Sequence, residues 1–328
     1  MLGSIAYKPA SGEPSAVAVL TEYVPNEGLA WDLFTSELES VFEVALARQG
    51  EPPPPAQARR DGFDHAEPPT ALVDVAAQHL RKARQLGVVT GEIHAALATG
   101  ADSAFAPEPF TLMHQQSLYQ RARTLWFRTL DGLERQLLTL SADVREEVGA
   151  LFDARSLVDA ELARIVAEPI EATRIRTHGD LHLGQVLFTG DDFVIIDFEG
   201  EPARPLRERR YKRSPLRDVA GMVRSFAYVA ESTLRGGRQR TQDLERLRPW
   251  ATSWASWVGR AYFNGYLDTV AKESFMPQAA PVQKLLLDFH TLEKCIYEIG
   301  YELSSRPDWL PIPVRGLLDL LAASTMRT

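Results

Sequence analysis

Thr177-His178-Gly179-Asp180-Leu181-His182-Leu183-Gly184-Gln185 runs through Val186-Leu187-Phe188 and Thr189-Gly190-Asp191-Asp192 into Phe193-Val194-Ile195-Ile196-Asp197-Phe198-Glu199-Gly200, and this stretch decides how the chain is read. The segments 186–188 and 193–196 are rich in β-branched and aromatic residues. The Gly and Asp residues between them tolerate the backbone angles of a hairpin turn, so two short paired strands are predicted. Pairing would bring Gln185, just before the first strand, close to Asp197 at the end of the second.

Phosphoryl transfer needs an acceptor for the attacking hydroxyl's proton and oxygen ligands that hold Mg²⁺ across the ATP phosphates. Asp180 and Gln185 stand five positions apart, the offset of the Asp and the metal-binding Asn in the kinase loop H-R-D-x-x-x-x-N, and Asp197 stands where the Asp of D-F-G would. Asp180 is therefore the expected proton acceptor, with Gln185 and Asp197 the expected Mg²⁺ ligands. Glu199 replaces the glycine of D-F-G and is expected near a second metal ion. His182 is a catalytic candidate that orients Asp180 or contacts the transferred group, with tying of the loop backbone as the structural alternative. His178 is expected to be loop scaffold.

HGDLHLGQ (178–185), IDFEGEP (196–202) and SPLRDVAGMVRSF (214–226) together resemble the C-terminal lobe of bacterial maltokinases, distant relatives of the aminoglycoside phosphotransferases, over about residues 2–323. The resemblance implies an α+β, protein-kinase-like fold, with a mainly helical C-terminal lobe around a catalytic β-hairpin and a two-strand remnant of the N-terminal lobe. The implied division is 1–26 for the strands and hinge and 27–328 for the helical lobe, with a loop at 51–69. The implied reaction moves the γ-phosphoryl of ATP to the anomeric hydroxyl of maltose, with Mg²⁺, in α-glucan, glycogen and trehalose metabolism. Asp218 is implied to brace the H-G-D loop from below. Family members also carry strands that cover the ATP phosphates and supply a lysine. Here about two strands precede the hinge, no G-x-G-x-x-G comes before it, and Lys8, the sole lysine before residue 82, receives no role. That pattern motivates one alternative, a weakly active or inactive lobe serving as an assembly module, for instance on a trehalose synthase; a second, a phosphotransferase with another sugar or an aminoglycoside as acceptor, stays open because one fold hosts many acceptors.

Composition narrows the class. Across 328 residues the formal net charge is −8, which argues against a general nucleic-acid binder. Cys295 is the only cysteine, so no intrachain disulfide can form; a reducing cytoplasm fits, with the thiol packed in a helix. No apolar run reaches the ~18–20 residues of a membrane span, and MLGSIAYKPA lacks the pattern of a secretory signal. A cytoplasmic enzyme without a membrane partner is the expectation.

In chain order, 4–7 and 16–21 read as strands around a turn at 9–14, and Glu22-Tyr23-Val24 as the hinge, the Glu22 carbonyl accepting from adenine and the Val24 N–H donating to it. Trp31, Phe34, Leu38, Val41, Phe42 and Ala45 recur at helical spacing. The proline-rich 51–69 is expected to be a surface loop. Helices are predicted at 70–99, with a bend at Gly87 and His94 packed inside, and at 111–140, 143–151 and 156–167. The basic segment 201–215 is either a solvated loop or a positive wall beside the site, and Ser214 is a candidate N-cap. Long helices follow near 243–272 and 281–303, with a short one from about 313. Glu293, Tyr297, Glu298 and Tyr301 on the second of these are the candidate sugar-binding residues, since carboxylates pair with hydroxyls and rings stack on sugar faces.

Overall fold

The computed structural model describes residues 2–8, 10, 14–47, 51–56, 67–100, 102–202, 204–236 and 240–325. Strands β1 (Gly3–Tyr7) and β2 (Ser15–Leu20) pair antiparallel with a bulge between Ile5 and Ala6. Four of the residues predicted for the turn between them, Pro9, Ser11, Gly12 and Glu13, lie outside the described residues. Leu2, Ile5, Tyr7, Val17, Val19 and Leu20 are all more than half exposed, so this ribbon is open to solvent on both faces. Strand β3 (Gly28–Leu29) then leads into α1 (Ala30–Ala47), and α2 (Thr70–Leu97) follows.

Next come β4 (Glu108–Pro109), α3 (Leu112–Gln136), α4 (Ala142–Asp153), α5 (Arg155–Ala163) and β5 (Thr173–Arg174). The hairpin is β6 (Val186–Phe188) and β7 (Phe193–Ile195); α6 (Leu206–Arg209) is a single turn. The chain closes with α7 (Leu216–Arg235), α8 (Thr241–Val270), α9 (Ala280–Ser305) and α10 (Pro311–Thr325). Among the described residues three small antiparallel sheets result, β1-β2, β3-β6-β7 and β4-β5. Among the described residues no helix is long and apolar enough to cross a membrane.

The hairpin sits on aromatic rings. Val186 and Phe188 on β6, and Phe193 and Ile195 on β7, point inward at the two-residue period of a strand. Phe34 on α1 stacks on Phe193 (6.5 Å) and meets the edges of Phe226 on α7 (5.1 Å) and Trp254 on α8 (6.3 Å). Four elements thus share one fully buried ring, and Phe34→Ala is expected to cost about 3–5 kcal/mol. Helix α2 lies so close along α8 that a Cβ at Gly87 would collide with the backbone carbonyl of Tyr262.

That contact corrects the predicted bend. Gly87 is inside regular helix, where it permits close packing; the non-helical residue of α2 is Ala76 (φ −134°, ψ 17°). Ser214 makes no side-chain cap, and Pro215 holds the N-cap position immediately before α7. Of the proline-rich segment, 51–56 is a mostly exposed loop, as expected, but it is held in place. The Pro54 carbonyl accepts from Trp257 Nε1 (3.0 Å) and Ser253 Oγ (3.2 Å), and Ala56 N–H donates to Ser256 Oγ (2.8 Å), which pins the segment to α8. Residues 57–66 lie outside the described residues.

Candidate active site

One face of α7 holds the loop that carries Asp180. The Asp218 carboxylate accepts from the N–H groups of His178 (2.7 Å) and Gly179 (3.0 Å), and Ser225 Oγ accepts from Leu183 N–H (3.1 Å). Between these anchors a Cβ at Gly221 would come within 2.6 Å of the Leu181 carbonyl. Positions 218, 221 and 225 follow the i, i+3, i+7 pattern of one helical face, so the loop is laid along α7 as a straight strip. Gly179 adopts φ +89°, a conformation that excludes most side chains at this turn.

Asp218 is fully buried and also meets His94 Nε2 at 3.2 Å, while His94 Nδ1 lies 3.1 Å from the Tyr266 hydroxyl. Burial opposes ionisation of Asp218, but the hydrogen bond and charge of His94, the nearby His178 and the Gly179 N–H outweigh it and hold the carboxyl below the usual range. His178 continues the scaffold: Nδ1 accepts from Asp180 N–H (3.3 Å), which places the ring proton on Nε2, 2.8 Å from the Ile196 carbonyl. One imidazole thereby ties the Asp180 loop to the end of β7.

At that end Gln185 Nε2 donates to Asp197 Oδ2 at 3.0 Å. Asp197 has φ +63°, the only positive φ outside glycine among the described residues, and its side chain is exposed. With the amide turned to present Oε1, Gln185 and the Asp197 carboxylate at this exposed edge would make a hard-oxygen pair of the kind Mg²⁺ takes from protein when phosphates and waters supply the rest. Among the described residues no cluster of three or more His, Cys, Asp or Glu could hold a metal by itself.

On the other side of Asp180 the wall is densely paired. Glu201 is buried and accepts from Arg204 Nε (2.6 Å), Arg217 Nη2 (3.3 Å) and the Tyr297 hydroxyl. Burial raises its pKa, yet the hydrogen bond and charge of Arg204, with Tyr297 and Arg217, win and bring it to about 2. Glu293 lies 3.3 Å from His290 Nδ1 and is likewise held far below the carboxylate range, its burial outweighed by His290, Arg217 and Arg204. Burial lowers the His290 pKa and keeps the ring neutral, and its buried Nε2 has no partner among the described residues. Lys294 Nζ approaches Asp180 Oδ1 at 3.8 Å and lies 5.3 Å from the Tyr297 ring centre. Asp180, Glu201, Glu293, Lys294 and Tyr297 line one cleft.

The sequence pattern of the phosphotransferase enzyme family (APH) matches residues 44–250, which include the whole loop, the hairpin and α7. The chain belongs to this family. Glucosamine kinase of Streptacidiphilus jiangxiensis is 26% identical over 244 residues, covering 74% of this chain and 50% of that protein. Glucosamine kinase of Mycolicibacterium smegmatis is 28% identical over 329 residues, covering 98% of this chain and 67% of that protein. The chain thus spans half the length of the first relative and two thirds of the second. A solved glucosamine kinase superposes with TM-score 0.66 at 22% identity, over 95% of this chain and 62% of that one. Another, in complex with glucosamine, ADP and inorganic phosphate, gives 0.65 at 22%, over 93% and 64%. The fold is the mainly helical, protein-kinase-like APH fold with small sheets.

Within this APH chain the sequence-predicted residues are distributed unevenly. Asp180, His178 and Asp218 belong to one hydrogen-bonded unit, and Gln185 touches Asp197. His182 Nδ1 accepts from Gly184 N–H (3.1 Å), capping a short turn. Burial, with Lys294 and His178 adding to it against Asp180 and Asp197, lowers its pKa. Glu199 lies 3.7 Å from Arg209 at the surface. The Val24 carbonyl accepts from Asn26 Nδ2 (2.9 Å), fixing the chain just after the predicted hinge, where Glu22 is exposed.

Two of the candidate sugar-binding residues lie away from this cleft. Glu298 is buried in an ion pair with Arg224 of α7 (2.8 Å), and Tyr301 is half exposed a turn beyond the cleft, beside Arg306; neither lines the cleft of Asp180. The face of α9 that does so carries His290, Glu293, Lys294 and Tyr297, spaced i, i+3, i+4, i+7. Glu298, one residue past Tyr297, is turned about 100° away. Glu201 and Arg217 were also missed as site residues. The acidic-aromatic pattern of α9 pointed to the right helix, but only the position of Asp180 against it fixes the register.

Proposed function

We propose that the chain is the catalytic lobe of an ATP-dependent sugar kinase, with a hexosamine such as glucosamine as the first acceptor to test. The supporting observation is the Asp180 loop fixed on Asp218, with the Gln185–Asp197 pair at one end and a polar cleft at the other. The two glucosamine kinase relatives support the choice of an amino sugar over the maltose expected from the resemblance. Residues 1–26 then form the strand pair and hinge of this kinase and 27–328 its helical lobe, with Glu22 and Val24 meeting adenine.

In this reading the acceptor hydroxyl donates to Asp180, which takes its proton as the bond to phosphorus forms. Lys294 holds the Asp180 carboxylate in place from α9. The unpartnered His290 Nε2 accepts from a sugar hydroxyl or ammonium group, and the Tyr297 ring offers a face to the sugar. Gln185, turned to present Oε1, and Asp197 would hold Mg²⁺, with Glu199 nearby; when bound, the ion neutralises charge on the ATP phosphates. His182 orients the loop as a neutral ring.

A second acceptor reading rests on a specific observation. Glu201 is paired with Arg204 and Arg217, and Glu293 with His290 under the charge of the same two arginines, so among the described residues the cleft offers an ammonium group no free carboxylate besides Asp180. A neutral sugar, maltose included, suits that wall as well. Incubation with ATP, Mg²⁺ and glucosamine, glucose or maltose, followed by phosphorus NMR, separates the readings. A sugar phosphate from any of them, lost in Asp180→Asn with the circular dichroism spectrum retained, supports the kinase. ATP binding without transfer to any sugar would favour an assembly module, with a trehalose synthase as one partner to test.

A further inference from the structure

Away from the Asp180 cleft, six cationic side chains, Arg121, Arg174, Arg176, Arg210, Lys212 and Arg213, line a recess between α3, β4, β5 and the segment after α6. Among the described residues the recess shares no lining residue with that cleft, and its only carboxylate is Glu108. Both Glu108 oxygens are engaged, one by Arg174 Nη2 (2.8 Å) and the other by Lys212 Nζ (3.0 Å). Lys212 and Arg213 are more than nine-tenths buried. Burial, compounded by Arg217, Arg204 and Arg121, pushes the Arg213 guanidinium down to about 9; burial and Arg210 act the same way on Arg176.

Hydrogen-bond donors are also in excess. Arg121 Nε and His114 Nε2 are buried without a partner among the described residues. His114 Nδ1 faces Arg174 Nη1, which can only donate, at 3.3 Å, so the ring proton sits on Nε2. Burial and the surrounding cations push His114 down to about 3, leaving it a neutral donor at physiological pH. The two unmade bonds, beside several close cations, disfavour an empty recess.

We propose that this recess is a binding site for a small phosphate-bearing anion, whose oxygens accept from Arg121, His114 and Arg176 and whose charge offsets the cationic wall. A phosphate group suits forked guanidinium donors and brings several acceptors in one compact unit. An extended polyanion fits poorly, because the recess is concave and the chain carries a net charge of −8. Arg121 also lines the groove that runs on to Glu201, Arg204 and Glu293, so a bound anion sits one side chain from the acceptor wall.

Isothermal titration of the full chain with inorganic phosphate, in a chloride buffer of matched ionic strength without nucleotide, tests the site. Saturable binding is expected, weakened about tenfold or more in Arg121→Met, as loss of a charge-assisted hydrogen bond predicts, and unchanged in Asp180→Asn. Arg176→Gln, at a less buried position, gives the same loss if Arg121→Met does not fold. Glucose 6-phosphate in place of phosphate identifies the source: tighter binding means a phosphate monoester is read, equal binding means the free anion suffices, and both support the site. Absence of saturable binding, loss of binding in Asp180→Asn with Arg176→Gln unaffected, or preference for a duplex oligonucleotide that phosphate cannot displace would each overturn the proposal.

Discussion

The two flanks of Asp180 are built on opposite principles. Toward α9, Glu201, Glu293, Arg204, Arg217, His290 and Tyr297 pair with one another in a largely buried wall. Toward the hairpin end, Gln185 and Asp197 share one hydrogen bond at an exposed edge. Buried ionic groups must satisfy each other within the protein, whereas an exposed oxygen pair can wait in water for a cation. The wall is therefore preformed and contributes to folding; the edge contributes little until ligand arrives. Damage to the wall should show in stability, and damage to the edge in turnover alone.

The largest expected effect tests the edge. Asp197→Ala should lower kcat/KM about a thousandfold, about 4 kcal/mol of transition-state stabilisation, while denaturant unfolding changes by less than about 1 kcal/mol. A comparable loss in both would erase the contrast between the flanks. On the wall, Glu201→Ala should cost about 3 kcal/mol of stability, because it strands Arg204 and Arg217. Urea unfolding reads this directly.

The same carboxylate gives a pH signature. Its pKa is depressed from 4.5 to about 2 in the folded chain, so the folded state binds fewer protons than the unfolded one in that interval. Its stabilising contribution is complete above about pH 4.5 and is lost as pH falls toward 2. Glu201→Gln should flatten that part of the stability profile, and an unchanged profile would mean the arginines do not hold it. Next in size, Gly221→Ala should push α7 off the Leu181 carbonyl at about 2 kcal/mol, slowing turnover although position 221 bears no functional group. The smallest effect is at Glu199→Gln, whose exposed contact with Arg209 is worth under about 0.5 kcal/mol; a large fall in activity there would put Glu199 among the metal ligands.

Local chemistry made much of this readable. The hairpin follows from β-branched runs split by Gly and Asp, and the helices follow from apolar periodicity that survives in their buried faces. The Gln185–Asp197 contact follows from strand pairing alone. The pairings that brace the loop and tie α7 to α9 do not, because they join residues far apart in sequence: His94 reaches Asp218 across 124 positions, and Arg224 reaches Glu298 across 74. A buried histidine on α2 looks the same in sequence whether it fills space or braces a loop. The basic segment 201–215 was ambiguous for the same reason, since Arg204 turns to Glu201 while Arg210, Lys212 and Arg213 enter a separate recess.

The left-handed backbone at Asp197 has a consequence for which residues this position can accept. An ordinary side chain there carries a conformational penalty of about 1–2 kcal/mol, and glycine would remove it. Asp197→Gly should therefore give a chain that resists denaturation at least as well as the natural one and transfers nothing. Selection for robustness and selection for chemistry pull this single residue in opposite directions, and asparagine, which tolerates the same backbone and keeps one oxygen, is the narrow compromise between them.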